Sequence, residues 1–584
     1  MRGFFGRVLR IDLSRQSHKV ESIDDEVFRR YLGGKGLATH LLLEENPAQV
    51  DPFSEENRLI FALGPVTDTA VSGSSRYGVF TKSPLTGFYS ESYSGGKIAE
   101  PMSRAGYDAI ILQGKSPKPV YLEISDELVT FHDASSLWGR GTYETEDEVI
   151  KAVDVKGAKA IVIGPAGENL VRFALIENDY WRSAGRTGVG AVIGSKRVKA
   201  IVFHGKAKRA VAREDLVEEF HKKTLAKAED NPGVAAYKNL GTPMMVALLT
   251  NAASFPTRYW AQGRYDQWEE ISAEAMNRKL GTKPRACNKC FMACGKFSVV
   301  QDGRHKGLKI EGPEYETIYA FGGLCMIDRI EEIAYLNDIC DNLGIDTITA
   351  GNLAAFTIEA SRRGKIADRL DYGDVDGIAR LLHQIVEREG SGAVLAEGIR
   401  FASREWGLED IAIHVKGMEP AGYDPRSLPG MGLAFATSDR GACHLRTTFY
   451  KLELAGISPP DQLDGKARLF VDFEDRLNIF DAMIFCRFYR DLYLWDDLRE
   501  VIGAITGMEL NEEELRKIAC NIVDGTRAFN IREGLTQEDD TLPRRFFEER
   551  IEEGRILRRT DFNRLLAEYY ELRGWDERGR PPSV

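Results

Sequence analysis

Short apolar runs dominate the first 205 or so residues of the chain. Apolar and polar residues alternate over 5–13, and the polar stretch 14–17 interrupts the alternation, which predicts a β-hairpin. Glycine or proline punctuates most of the later runs. Those runs lie at 58–63, 77–81, 108–112, 120–124, 158–163 and 199–203. This part of the chain is therefore predicted to be rich in β-strands, with helices inserted.

After about residue 210 the apolar spacing becomes helical. The stretch 328–344 is the clearest case, because apolar residues recur there at helical intervals. Asp328 and Glu331 form a capping-box-like start, and Gly344 suits the left-handed position after the last turn. Further helices are predicted at 347–363, 375–389 and 511–529.

Prolines and glycines crowd together between Pro420 and Gly430, which predicts a domain boundary near residue 420. Together with the change of pattern near 208, the chain is predicted to have an α+β fold. A β-rich N-terminal domain at 1–208 is followed by two mainly α-helical domains at 209–420 and 421–584.

Composition narrows the class of protein. The chain has 584 residues, 43% hydrophobic content and a formal net charge of −11, which argues against general nucleic-acid affinity. It shows neither a signal-peptide pattern nor an apolar run long enough for a membrane span. Eight cysteines without a secretion signal indicate a reducing, cytoplasmic location.

Three cysteines, Cys287, Cys290 and Cys294, fall within eight residues. Their thiolates could converge on one inorganic centre, and a [4Fe–4S] cluster would need a fourth cysteine from elsewhere. A zinc site and unrelated thiols are the alternatives. No closely spaced histidine pair follows, as it would in many zinc fingers.

Two glycine-containing stretches could hold a phosphate-bearing ligand. The stretch 184–196 matches neither a Walker loop nor a dinucleotide fingerprint, and a tight loop packed against a helix is the structural alternative. The stretch 75–87 carries Arg76 and Lys82 and is followed by Gly95 and Gly96. Its cations suit an anionic ligand, whereas an ordinary surface turn is the alternative.

Carboxylates and one histidine form the last candidates. Asp341 and Asp346 flank Gly344 and could accept hydrogen bonds from a heterocycle, or simply belong to a helix end. The bend 311–316 carries three glutamates, and His444 is one of nine histidines. A glutamate and a histidine in one pocket could transfer protons, with Tyr423 as a possible donor. A purely structural histidine is the alternative.

Taken together, these segments resemble the tungsten-containing aldehyde:ferredoxin oxidoreductase family over nearly the whole chain. The matching stretches are 33–38, 81–87, 104–109, 185–190, 287–294, 312–316, 423–426 and 527–534. The resemblance implies that two pterin dithiolenes hold one tungsten or molybdenum ion beside one [4Fe–4S] cluster, and that domain 1–208 is the base on which the pterins lie.

The resemblance also assigns residues to the cofactors. Cys486 becomes the fourth cluster ligand beside Cys287, Cys290 and Cys294. Arg76 lies between cofactor and cluster, and the main-chain carbonyls of Tyr93 and Ser183 bind a Mg²⁺ that bridges the pterin phosphates. Asp481 is the counterpart of Asp341, although Ile484 and Phe485 replace the family's Gly and Leu. The other implied cofactor-binding residues are Gly95, Gly96, Arg182, Gly185, Gly344 and Asp346. Residues 328–337 lack the Glu-x-x-His of an interface iron site.

The implied reaction is oxidation of an aldehyde to a carboxylic acid, with water as oxygen source. His444 and Tyr423 would polarise the carbonyl, and Glu314 or Glu316 would accept a proton. Electrons would leave through the cluster to ferredoxin or a dedicated iron–sulfur subunit, in a homo- or hetero-oligomer. Two alternatives stay open: a same-fold reductase of an aromatic acyl-CoA such as benzoyl-CoA, and a non-catalytic iron–sulfur electron-transfer subunit.

Overall fold

The computed structural model of the protein describes residues 1–582, and two six-stranded sheets form its N-terminal region. The first sheet has the order β2-β1-β6-β3-β4-β5 and the second β11-β10-β9-β12-β7-β8, and a three-stranded sheet β13-β14-β15 follows. The strands are β1 (Arg7–Asp12), β2 (Ser17–Ser22), β3 (Leu59–Ala62), β4 (Tyr77–Lys82), β5 (Tyr89–Ser94), β6 (Ala109–Gln113), β7 (Val120–Ile124), β8 (Val129–Asp133), β9 (Lys159–Val162), β10 (Ile176–Asn178), β11 (Arg182–Ala184), β12 (Val198–Phe203), β13 (Lys283–Arg285), β14 (Gly295–Val299) and β15 (Lys309–Glu311).

The predicted strands are confirmed. β1 and β2 form the antiparallel hairpin with Arg7 opposite Ser22, and each of the six later apolar runs is a strand. β3 and β4 are buried along their whole length, which explains why apolar residues occur on both faces of each strand instead of alternating with polar ones. β5 and β11 were missed, because their polar sequences lack both alternation and apolar content. Each of these two strands is the edge of one six-stranded sheet, and they contact each other.

The remaining chain is mainly helical, as predicted. Its helices, with those of the N-terminal region, are α1 (Asp25–Tyr31), α2 (Gly34–Glu45), α3 (Ala99–Arg104), α4 (Thr142–Val153), α5 (Pro165–Glu168), α6 (Val189–Ser195), α7 (Glu214–Glu229), α8 (Pro232–Leu240), α9 (Met245–Asn251), α10 (Ala273–Leu280), α11 (Tyr315–Thr317), α12 (Ile330–Leu343), α13 (Thr347–Arg362), α14 (Val375–Glu387), α15 (Ser391–Leu395), α16 (Ile399–Trp406), α17 (Pro429–Thr437), α18 (Tyr450–Leu454), α19 (Lys466–Met483), α20 (Trp495–Thr506), α21 (Glu512–Arg532), α22 (Arg544–Glu548) and α23 (Arg559–Arg573). Among residues 1–582, none of these helices has the length and apolar character needed to cross a membrane.

The ends of α12 show one correct and one wrong prediction. Gly344 ends the helix in the left-handed conformation, with φ 81°, as predicted. The capping box is wrong, because the helix begins at Ile330 and its N-cap is Arg329, whose side chain makes no capping bond. Asp328 therefore lies outside the helix, where its carboxylate is too early in the chain to cap the first turn.

The largest apolar core joins helices from both sides of residue 420. It includes Phe321 from the segment before α12, Leu353 from α13, Phe435 from α17 and Tyr569 from α23. A second core packs beside α19 and α20 and also includes residues of the N-terminal region, such as Leu32. The regions therefore share extensive interior surface, and the boundaries near 208 and 420 stay predictions.

Candidate active site

Two cavities meet at Arg76 in the interior of the protein. The larger has a volume of about 340 Å³ and lies between the edge strands β5 and β11 on one side and α11, α12 and the segment around His444 on the other. The smaller has a volume of about 50 Å³. Arg76 and Phe488 line both cavities, so the two cavities adjoin at these side chains.

All four predicted cluster cysteines line the smaller cavity. Cys287, Cys290 and Cys294 occupy the loop between β13 and β14, while Cys486 follows the end of α19. Burial raises the pKa of the Cys290 and Cys294 thiols, so their thiolates need a cationic or metallic partner to persist. Among residues 1–582 no three His, Cys, Asp or Glu side chains lie close enough to hold one single ion. The thiols thus surround the cavity rather than converge on one point.

Gly95 and Gly96 bring the backbone close to this thiol cavity. The Gly96 N–H donates to the Cys287 Sγ at 3.1 Å, and a Cβ built on Gly95 would lie 3.0 Å from the same sulfur. Arg182 also lines the cavity and pairs with Glu311. These glycines therefore contact the cysteine loop directly and do not line the larger cavity.

Most of the other predicted residues line the larger cavity. All four residues proposed for catalysis do so, and so do six of the proposed cofactor-binding residues. These are Glu314, Glu316, Tyr423 and His444, and Arg76, Tyr93, Ser183, Gly185, Asp341 and Asp346. Gly344 and Asp481 are the exceptions. Gly344 is packed against Gly164, and Asp481 is ion-paired with Arg446 and Arg487.

His444 and Glu316 form the closest acid–base pair in the larger cavity. The His444 Nε2 lies 3.5 Å from the Glu316 Oε1, and the Gly422 N–H donates to the Glu316 Oε2 at 3.1 Å. Burial raises the pKa of Glu316 to about 8. Burial, together with nearby arginines such as Arg440, holds the pKa of His444 well below its usual range. The imidazole is therefore neutral, and the carboxyl group carries a proton at neutral pH.

Glu314 and Tyr423 have different surroundings. Glu314 accepts a hydrogen bond from the Thr242 hydroxyl, which ties its carboxylate to the loop before α9. The Tyr423 ring stacks on His444, with 5.4 Å between ring centroids, and on Tyr450, with 4.2 Å. The tyrosine therefore fixes the plane of the imidazole, and the structure brings Glu316 rather than Glu314 to the histidine.

Asp341 and Asp481 occupy equivalent places at two helix ends. Asp341 is three residues before Gly344, the left-handed end of α12, with φ 81°. Asp481 is three residues before Ile484, the left-handed end of α19, with φ 58°. A β-branched residue rarely adopts this conformation, so the chain keeps the turn despite having isoleucine where the family has glycine. The two segments predicted to bind the two pterins thus share one local geometry.

Several residues of the site were missed from the sequence. Arg186 of the 184–196 stretch is buried and donates to Asp346 at 3.1 Å and to the Glu419 carbonyl at 2.8 Å. These bonds connect the stretch to the helical part of the chain, so it is not a free loop. Arg186 lies inside the 185–190 motif that matches the family, so this motif could have identified it from the sequence. Tyr450 and Arg490 also line the cavity, and no local pattern marks either of them.

Unpartnered polar atoms in the larger cavity fit a large polar ligand. The Trp181 Nε1, Arg440 Nε and His444 Nδ1 are buried and make no hydrogen bond within residues 1–582. Buried donors and acceptors are nearly always satisfied in native proteins. Ligand atoms that supply their partners would therefore suit this cavity, and the residues present fit a pterin cofactor.

Models of two domains of one enzyme family match the chain. "Aldehyde ferredoxin oxidoreductase, N-terminal domain" matches residues 8–205, and "Aldehyde ferredoxin oxidoreductase, domains 2 & 3" matches residues 219–583. The chain belongs to the aldehyde ferredoxin oxidoreductase family. It is therefore an oxidoreductase.

Relatives of this family member cover its full length. The tungsten-containing aldehyde ferredoxin oxidoreductase of Pyrococcus furiosus is 37% identical over 599 residues, covering 100% of this chain and 98% of the relative. The aliphatic sulfonate oxidoreductase WOR-like subunit of the same organism is 30% identical over 627 residues, covering 100% and 96%. Among solved structures, the active site complex BamBC of benzoyl coenzyme A reductase with 1,5-dienoyl-CoA superposes with a TM-score of 0.87. Its sequence identity is 28%, and the match covers 99% of this chain and 96% of that one.

Proposed function

We propose that this protein oxidises an aldehyde to a carboxylic acid at a tungsten bis-pterin centre. Electrons pass through one [4Fe–4S] cluster to ferredoxin or to an iron–sulfur partner subunit. The observation that carries the proposal is the position of the His444–Glu316 pair, in a cavity that shares Arg76 and Phe488 with the cavity of the four cysteines. An acid–base pair beside an electron exit suits a reaction that releases protons and electrons together.

Named residues would hold each cofactor. Cys287, Cys290, Cys294 and Cys486 would ligate the cluster, since all four line one cavity. Asp341 and Asp346 would contact one pterin from the end of α12 and the start of α13. The carbonyls of Tyr93 and Ser183 would bind Mg²⁺, and these residues belong to the two edge strands that meet beside the cavity. The bound cofactor would supply a two-electron acceptor next to the aldehyde carbon.

His444 and Glu316 transfer the protons in the proposed reaction. Because the imidazole is neutral and Glu316 carries the proton at neutral pH, the carboxyl group can donate to Nε2. The neutral imidazole can donate to the carbonyl oxygen from Nδ1, which has no partner within residues 1–582. A fraction of Glu316 is ionised near neutral pH, because its pKa is about 8, and this ionised form accepts a proton from the attacking water. A pKa near 8 suits a group that must both take up and release protons near neutral pH.

A reductase acting on an aromatic acyl-CoA is the second candidate, supported by the similarity to the benzoyl coenzyme A reductase complex. Anaerobic assays with a viologen dye separate the two. The proposal predicts dye reduction by aldehydes, and its loss in His444→Ala with metal content unchanged. Dye-dependent reduction of benzoyl-CoA without aldehyde oxidation would favour the second candidate. Full aldehyde activity in His444→Ala would overturn the assigned role of the histidine.

A further inference from the structure

Arg490 is a buried cation of the larger cavity that has no carboxylate partner. Its side chain is 1% exposed, and its Nη1 donates to the Arg487 carbonyl at 2.7 Å. Its Nε and Nη2 make no hydrogen bond within residues 1–582. Asp491, the next residue, is ion-paired with Lys451 instead. Against the effect of burial, nearby tyrosines and Asp491 raise the pKa of Arg490, but among residues 1–582 no carboxylate lies within ion-pair distance of its guanidinium.

Buried arginines that line the cavity differ in their partners. Arg186 pairs with Asp346, whereas Arg440, like Arg490, has no ion-paired carboxylate and donates to the Glu91 carbonyl and the Cys443 Sγ. A buried charge without a counter-ion is strongly unfavourable, because the surrounding protein solvates it poorly. The most direct compensation is an anion that enters the cavity.

The surroundings of Arg490 indicate which molecule brings that anion. Tyr237, Tyr450 and Phe488 line both the larger cavity and a neighbouring apolar cavity of about 310 Å³. Tyr450 continues the aromatic stack that leads through Tyr423 to His444. Arg490 therefore belongs to the side of the cavity where the acid–base pair and the apolar chamber meet, rather than to the edge strands proposed to hold the pterin phosphates.

We propose that Arg490 binds a carboxylate group of the reacting molecule, while the apolar chamber holds its carbon chain. This inference rests on the proposed function. A planar guanidinium with two free donors, Nε and Nη2, matches a carboxylate in bidentate geometry. The carboxylate has two possible sources: an acid group that the aldehyde substrate already carries, or the carboxylate that the oxidation creates.

Kinetics of the loaded holoenzyme test the proposal with a matched pair of aldehydes, butanal and 4-oxobutanoate, and with butanoate as product inhibitor. For Arg490→Gln, a KM for 4-oxobutanoate raised about tenfold or more, with butanal nearly unaffected, supports a substrate carboxylate. An inhibition constant of butanoate raised about tenfold, with both KM values unchanged, supports the product carboxylate. Arg490→Lys keeps the charge and should restore part of either effect. Lys223→Gln removes an exposed cation that pairs with Glu500 and lines neither the larger cavity nor the apolar chamber, and it is the control.

Two results would overturn the inference. One is an Arg490→Gln enzyme with unchanged KM values and unchanged inhibition by butanoate. The other is loss of metal and pterin content in that variant, which would show that Arg490 holds the cofactor.

If the unaltered holoenzyme oxidises neither aldehyde, the proposed function fails on its own. Calorimetric binding of butanoate, present in the unaltered protein and lost in Arg490→Gln, still tests the arginine in that case. If Arg490→Gln does not fold, the same KM and inhibition constants are compared between Arg490→Lys and the unaltered protein.

Discussion

The His444 Nε2 and the Glu316 Oε1 lie 3.5 Å apart, although the two residues come from distant parts of the chain. The contact depends on the Gly422 N–H, which holds the other oxygen of the glutamate, and on Tyr423, whose ring stacks on the imidazole. One short segment therefore positions both partners of the pair.

Replacing the two candidate glutamates separately should identify the proton acceptor. Glu316→Gln keeps the size of the side chain but removes its basic form, and we expect kcat to fall roughly 10²- to 10⁴-fold. Glu314→Gln should lower kcat much less, because Glu314 is bound to the Thr242 hydroxyl rather than to His444. Both variants should retain their metals. A larger loss in Glu314→Gln than in Glu316→Gln would reverse the assignment.

The pH dependence of aldehyde oxidation should report the ionisation of Glu316. Burial raises the pKa of this group to about 8, and only the ionised carboxylate accepts a proton. Activity should therefore rise with pH up to about 8 and fall about tenfold per pH unit below it. The profile of kcat is the measurement, with Glu316→Gln as control, which should lack this limb. An ascending limb that survives in the control must belong to another group.

Gly96 beside the cysteine loop and Gly87 in the turn between β4 and β5 are a matched pair of glycines with positive φ. A Cβ on Gly96, at φ +92°, would lie 2.4 Å from the Asp179 Oδ2, whereas a Cβ on Gly87, at φ +79°, would meet nothing within 4 Å. Both alanine variants strain the backbone by about 1–2 kcal/mol. Only Gly96→Ala should also disturb the Gly96 N–H bond to Cys287. We expect a lower iron content in Gly96→Ala and a normal one in Gly87→Ala. Equal iron contents would contradict a role of Gly96 at the cluster.

Cys486 should be needed for the cluster, and Cys520 should not. Cys486 lines the thiol cavity, whereas Cys520 lies on α21 with its thiol near Asp524. Iron content and the visible absorption of anaerobically purified Cys486→Ala should both fall, while Cys520→Ala should match the unaltered protein. A full and stable cluster in Cys486→Ala would refute this residue as the fourth ligand.

Local patterns in the sequence predicted elements better than they predicted contacts. Apolar runs predicted β3 and β4 because those strands are buried on both faces. The left-handed end of α12 was evident because Gly344 tolerates positive φ, while the equivalent Ile484 gives no such signal. The strand β5 was missed because its serines and glutamate face polar partners in the interior, as Glu91 does with Lys35 at 3.1 Å.

The candidate site was predicted through motifs, and its long-range partners were not. The cysteine spacing predicted an inorganic centre, and the family resemblance added Cys486 as its fourth ligand. The choice between Glu314 and Glu316 needed the fold, because both belong to one bend and only tertiary packing sets which one meets His444. The same holds for Arg490, whose guanidinium has no ion-paired carboxylate in the described chain. That property arises from packing between distant segments and leaves no local pattern.

The metal content of anaerobically purified protein tests the central claim most directly. Elemental mass spectrometry should find about one tungsten or molybdenum and about four iron atoms per chain, since one bis-pterin centre and one [4Fe–4S] cluster would fill the two cavities that meet at Arg76. Iron without tungsten or molybdenum would contradict the account and favour a non-catalytic electron-transfer subunit.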